Sequence, residues 1–292
     1  MSVFKGSATA IITPFNKEGI DYPAFKTLIE KQIEGKADGI VVCGTTGEAS
    51  TMSAEEKRCA IQFAVKETAG RVPVIAGTGG NNTRNVIHDS RQAEELGADA
   101  LLVVTPYYNK ATQAGLVAHY TAVAEAVRIP IIVYNVPART GLNILPATMK
   151  EITGKNKNVA AIKEASGNIE QIVNLAALCP NLSIYSGNDD HVLPLLSLGG
   201  KGVISTIGNV IPLDMHNLCE AYFNGDHETA RALQFKILPI WKAAFCEVNP
   251  IPIKTMCGLL GLCEPLLRLP LCPPSPASRG LIEQTLKDYG LL

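Results

Sequence analysis

Eight short runs rich in β-branched and aliphatic residues recur along the chain: "ATAIITPF", "DGIVVCG", "PVIAGTG", "ALLVVTP", "PIIVYN", "VAAIKEA", "LSIYSG" and "KGVISTIG". Between them lie segments with helical spacing, such as "YPAFKTLIEKQIEG", "SAEEKRCAIQFAVKETAG" and "NTRNVIHDSRQAEELG", several closed by a glycine as helix C-termini often are. Runs that are apolar throughout, instead of alternating, are the mark of parallel strands covered on both faces. Eight strand-helix units over roughly 220 residues favour a closed (β/α)8 barrel, which typically takes about 250 residues, over a doubly wound sheet. Past "YFNGDHETA", where Asn224-Gly225 marks a turn, the strand runs stop and the pattern is helical from 226 to 260. A proline-rich loop, "EPLLRLPLCPPSPAS", then precedes a last helix. The expected organisation is a barrel over residues 1–224 and a helical appendage over 225–292.

Charge excludes some partners. Lys plus Arg (26) nearly balance Asp plus Glu (27) in 292 residues. No basic surplus is available to hold nucleic acid or an anionic membrane by bulk electrostatics, which leaves small molecules as the expected partners. Cysteines at 43, 59, 179, 219, 246, 257, 263 and 272 never form a C-x-x-C pair. They read as thiols of a reducing compartment and not as a zinc site or a disulfide framework. The opening "MSVFKGSATAIITPF" has a short apolar run stopped by Pro14, too brief for a signal h-region or a membrane span, so cytoplasm is the expected location.

In a (β/α)8 barrel the chemistry sits at the C-terminal ends of the strands. Those ends read "GTTGE", "TPYYN", "YNVPART", "KEASG" and "SGND" and carry Thr45, Thr46, Tyr108, Tyr134, Arg139 and Lys163. Lys163 lies inside an apolar strand. It either snorkels, putting its nitrogen in water, or is kept partly neutral as a Schiff-base nucleophile. Desolvation of an amine to a pKa of about 7 would leave half of it nucleophilic at a cost of about 4.6 kcal/mol. Tyr134 on the adjacent strand is placed to move protons if both side chains point into the barrel mouth. "GTTGE" offers two hydroxyls and backbone amides in a tight turn suited to a carboxylate, and Arg139 offers a planar fork for another. Each feature alone also has a bland reading as turn, packed tyrosine or surface ion pair; their coincidence is the argument. "NDDH" at 188–191 reads as a helix N-cap before a metal site, and "GTGGNNT" as a helix start before a phosphate cradle.

With Lys163, "GIVVCGTTGEAST" and "YNVPARTGLNI" in view, the chain resembles, nearly end to end, the Schiff-base aldolase family of dihydrodipicolinate synthase and N-acetylneuraminate lyase. The resemblance implies pyruvate held as an imine on Lys163, with Tyr134 as proton donor and acceptor and Thr45 and Tyr108 completing a relay. Thr46 and the backbone of Ile204 would hold pyruvate, Gly187 would line the site, and no cofactor or metal is called for. Arg139 in the Y-N-x-P-x-R-T-G turn points to the synthase branch, which uses L-aspartate 4-semialdehyde on the way to diaminopimelate and lysine. A lyase or aldolase of a keto-sugar acid is the alternative, and a non-catalytic binding protein a third. In this family the counterpart of Tyr108 usually comes from the neighbouring subunit, so a homodimer, commonly paired into a homotetramer, is implied. Many synthases of the family are inhibited by lysine between paired subunits. Where sensitive members carry a Ser-Ala pair, two histidines and a glutamate, this chain has Ala49-Ser50, Ala54, Lys57 and Asn85, while Asn81 and Tyr107 remain. Weak or absent inhibition by lysine is therefore expected.

Overall fold

The computed structural model describes residues 3–292. All eight apolar runs become strands: β1 (Gly6–Ala10), β2 (Gly39–Val42), β3 (Val74–Gly77), β4 (Ala100–Val104), β5 (Ile131–Asn135), β6 (Val159–Glu164), β7 (Ser183–Ser186) and β8 (Gly202–Ser205). Each pairs in parallel with its sequence neighbours, and β8 pairs with β1, so the sheet closes into the (β/α)8 barrel that the alternation predicts. Two layers of core follow from the strand period of two. Inward residues such as Ala8, Val41, Ile75, Leu102, Ile132 and Ile204 fill the barrel. Outward ones such as Ile40, Val103, Val133 and Ile162 pack against the helices.

The helices are α1 (Tyr22–Glu34), α2 (Ala54–Thr68), α3 (Thr83–Glu95), α4 (Gln113–Ala126), the single turn α5 (Pro137–Thr140), α6 (Pro146–Lys155), α7 (Ile169–Leu178), α8 (Val192–Ser197) and α9 (Pro212–Phe223). The "GTGGNNT" stretch is a helix start: Asn82 caps α3 by accepting from the Arg84 amide at 3.1 Å. The ladder between β5 and β6 is not uniform. Ile131 faces Val159 but Ile132 faces Ala161, so Ala160 is an extra residue and the register moves by one. From there on Tyr134 faces Lys163 and Asn135 faces Glu164.

Beyond Gly225 come α10 (His227–Ala244), α11 (Ile251–Leu259) and α12 (Pro276–Asp288). The helical stretch read as continuous from 226 to 260 is in fact broken over 245–250. Pro250 has no amide hydrogen to continue a helix, and the break places Asn249 over the barrel mouth, where it meets Thr46 and Arg139. A short hairpin, Phe15–Asn16 against Gly19–Ile20, follows β1 and lies outside the barrel.

Candidate active site

Lys163 and Tyr134 end adjacent strands and point the same way, with Lys163 Nζ 4.6 Å from the centroid of the Tyr134 ring. Just beyond them the two strands are tied together. Asn135 Nδ2 donates to both oxygens of buried Glu164 at 3.0 and 3.1 Å, and Glu164 also accepts from the Ser166 amide at 2.7 Å and from Gln171 Nε2 at 3.1 Å. Lys163 does not snorkel: it is 5% exposed and lines a small inner cavity of about 70 Å³ with Thr46, Gly187 and Asn249.

Burial is the main reason that the Lys163 amine is pulled from 10.5 to about 8; the Asp189 carboxylate opposes the fall and the Arg139 guanidinium adds to it. At pH 7 that leaves about a tenth of the amine neutral, against about 0.03% at the ordinary value, so a neutral amine is gained with less desolvation than a pKa of 7 would demand. Burial also raises the Tyr134 phenol, while Arg139 and a hydrogen bond shared with the Thr45 hydroxyl hold it back. Tyr134 thus stays a proton donor at neutral pH.

The remaining expected residues divide. Thr46 is buried and its hydroxyl accepts from Asn249 Nδ2 at 3.0 Å. Arg139, on α5, lines both the inner cavity and an outer chamber of about 440 Å³, and its Nη2 donates to the Asn249 carbonyl at 2.9 Å. At Gly187 a Cβ would meet the Ala165 Cβ at 2.5 Å, so only glycine lets β7 end this close to β6. Ile204 is fully buried in β8 and does not line the cavity; its neighbour on the loop, Thr206, does. Tyr108 is 89% exposed and stands apart from Tyr134 and Thr45, whereas Tyr107 lines the outer chamber.

Sequence reasoning missed several groups. Asp189 is buried, but not as a cap of its own helical turn: its Oδ2 accepts from the amides of Thr206 and Ile207 at 3.1 and 3.3 Å, tying the β7 loop to the β8 loop. Asp190 instead meets its neighbour, with Oδ2 3.5 Å from His191 Nε2. Asn249 went unremarked because nothing in "EVNPIPIK" signals contact with "GTTGE". Lys254 carried a signal of the same kind as Lys163, a lone cation in an apolar run, and it is likewise buried. No aspartate or glutamate is among the described residues lining either space, while Lys57, Arg139 and Lys163 are. The arrangement can hold carboxylates, form an imine and shuttle a proton at one centre.

Comparison with known proteins agrees. The Dihydrodipicolinate synthetase family matches residues 3–289. The 4-hydroxy-tetrahydrodipicolinate synthase of Caldicellulosiruptor bescii is 52% identical over 292 residues, covering 100% of this chain and 99% of that one. The dihydrodipicolinate synthase of Aquifex aeolicus superposes with a TM-score of 0.97 at 45% identity, covering 99% of each chain. The Cyanidioschyzon merolae enzyme, solved with lysine bound, gives 0.96 at 35% identity, covering 100% of each.

Proposed function

The chain belongs to the dihydrodipicolinate synthetase family, and we infer from that premise that it condenses pyruvate with L-aspartate 4-semialdehyde to 4-hydroxy-tetrahydrodipicolinate, with loss of one water. The observation that carries the reading is Lys163, a buried amine pulled to about 8 beside a protonated tyrosine. Neutral Lys163 attacks the pyruvate keto carbon; Tyr134 delivers the proton that lets the carbinolamine oxygen leave as water, giving the imine. Loss of a methyl proton yields the enamine, whose carbon attacks the aldehyde of the second substrate. The amine of that substrate then displaces Lys163 from the imine carbon, which closes the ring and frees the lysine. Thr45 passes protons from Tyr134 to Tyr108 of the partner subunit, Thr46 and the turn amides hold the pyruvate carboxylate, and Arg139 holds that of the semialdehyde. Lysine itself supplies the electron sink, so the reading calls for no cofactor.

Exposed Tyr108 fits a role in a neighbouring subunit's site, and the working unit in this reading is a dimer, paired into a tetramer. All eight cysteines are free, which fits a reducing cytoplasm; no helix among the described residues is long and apolar enough to cross a membrane. An assay of purified protein with both substrates tests the reading. Turnover that needs pyruvate and the semialdehyde together is expected, and cleavage of a keto-sugar acid in its place would move the chain to the lyase branch.

Free lysine is expected to inhibit weakly or not at all. The chamber wall holds Lys57 beside Ala49, Ser50 and Tyr107, and Asp89, 3.6 Å from Lys57 Nζ, offsets that charge only in part. Neither neighbouring carboxylate is free to take an incoming ammonium. Glu55 is paired with Arg58, and Glu56 with Arg268 and the Ser53 amide. An unpaired ammonium against a like charge loses affinity. Initial rates at saturating pyruvate with lysine titrated to millimolar levels check this; half-inhibition below a millimolar would show that the wall accepts a cation.

A further inference from the structure

The turn that carries Thr45 and Thr46 is conformationally costly and is restrained from outside the barrel. Cys43 before it and Glu48 at its end both have left-handed backbones, with φ of 57° and 55°, without the freedom of glycine. Residues in that region persist only where their surroundings over-determine them. Inside the turn, the Gly47 and Glu48 amides donate to the Gly44 and Thr45 carbonyls, both at 3.1 Å, and the Thr13 hydroxyl donates to the Gly47 carbonyl at 2.7 Å. The rest of the restraint comes from the other end of the chain, at two points. Asn249 grips the Thr46 hydroxyl and, through its carbonyl, Arg139. Lys254, on α11, donates its ammonium to Glu48 Oε1, while the Arg268 amide takes Glu48 Oε2 at 3.1 Å.

The Lys254 and Glu48 side chains are 0% and 1% exposed. Two charges removed from water cost so much desolvation that apolar replacements of similar volume are often as stable or more so. Stability is therefore a poor reason for the pair. A directional contact that admits one geometry is a better one, and this contact ends on a left-handed residue of the turn. Phe15 closes the site, its ring between Lys254 Nζ at 4.2 Å and the Arg268 guanidinium carbon at 4.0 Å.

We propose that the Lys254–Glu48 pair is a positioning device. It anchors the end of the "GTTGE" turn to α11, so that Thr46 and, by way of Asn249, Arg139 keep the spacing that the two substrate carboxylates require. The inference rests on the reading of that turn as the pyruvate-carboxylate nest. The helical appendage is then part of the catalytic apparatus.

The test replaces both charges with apolar side chains of similar size, Glu48→Leu with Lys254→Met, in the full chain. Thermal stability equal to or above that of the parent is expected, together with a pyruvate KM raised about tenfold, because a shift of about 1 Å at a positioning group can cost up to about 10²-fold. Borohydride with saturating pyruvate should still label Lys163. Glu48→Asp, which keeps both charges and shortens the arm by one methylene, is the second variant should the first not fold, with a pyruvate KM raised at least about threefold. An unchanged pyruvate KM in either folded variant, or a loss confined to kcat that follows thermal stability, would overturn the proposal. Parent protein that borohydride and pyruvate fail to label at Lys163 would instead remove the premise.

Discussion

Replacing Lys163 with alanine is expected to lower turnover by at least about 10⁴-fold and to abolish the reduced three-carbon adduct that borohydride and pyruvate leave on the parent protein. No other side chain among the described residues lining the inner cavity is an amine, so none of them can substitute. Peptide mass mapping of the parent reads the adduct directly; label on a different lysine, or none, would end the imine mechanism. The pH dependence follows from the same residue. Its amine is pulled down to about 8, so single-turnover imine formation should rise about tenfold per pH unit below that point and level off above it. The stability linkage has a definite sign. Between about 8 and 10.5 the folded state holds the lysine neutral while the unfolded chain would protonate it, so this group's destabilisation is complete below about 8 and relieved as pH rises. Lys163→Met should accordingly stabilise the fold at neutral pH by up to about 3 kcal/mol. An inactive variant that melts later than its parent is the signature of a group kept for chemistry and not for packing.

Replacing Arg139 with alanine is expected to cost about 10- to 150-fold in kcat/KM for the semialdehyde, the range for a lost charged contact of about 1.5–3 kcal/mol. Imine formation with pyruvate should survive. The guanidinium spends Nη2 on the Asn249 carbonyl, which fixes the fork and leaves its other donors for a carboxylate. A secondary effect separates this role from a structural one. Arg139 contributes to the depression of Lys163 and restrains the rise of Tyr134, so its removal should move the pH edge of imine formation upward. Equal damage with both substrates would make Arg139 a structural residue, and undiminished use of the semialdehyde would favour the keto-sugar acid reading.

The barrel was legible because parallel strands covered on both faces leave an unbroken apolar run, and each of the eight runs is a strand. Lys163, Tyr134 and the "GTTGE" turn were legible because polar groups at such ends stand out against that background. What lay out of reach depends on contacts that no local pattern reports. Lys254 meets Glu48 across 206 residues of sequence, and Asn249 meets Thr46 across 203. Lys163 and Lys254 show how one signal carries two meanings: both are lone cations in apolar runs, but Lys254 ends on a carboxylate in direct contact, whereas Lys163 feels Asp189 only from a distance. Asp189 looked like a local cap because sequence cannot show that the next loop offers two amides.

The extra residue in β6 makes the meeting of Lys163 and Tyr134 a matter of counting. Were Ala160 paired, with the ladder running on evenly from Ile131 and Val159, Tyr134 would face Ile162, and Lys163 would fall beside Asn135; leaving Ala160 out of the ladder keeps the amine opposite the phenol. Deletion of Ala160 itself would leave an even ladder with Tyr134 still opposite Lys163, whereas a single added residue would not. A residue inserted between Ala161 and Lys163 would leave an apolar strand able to close the same barrel, yet it would part the amine from its phenol. The site is therefore vulnerable to a type of mutation that an inventory of its residues would never reveal.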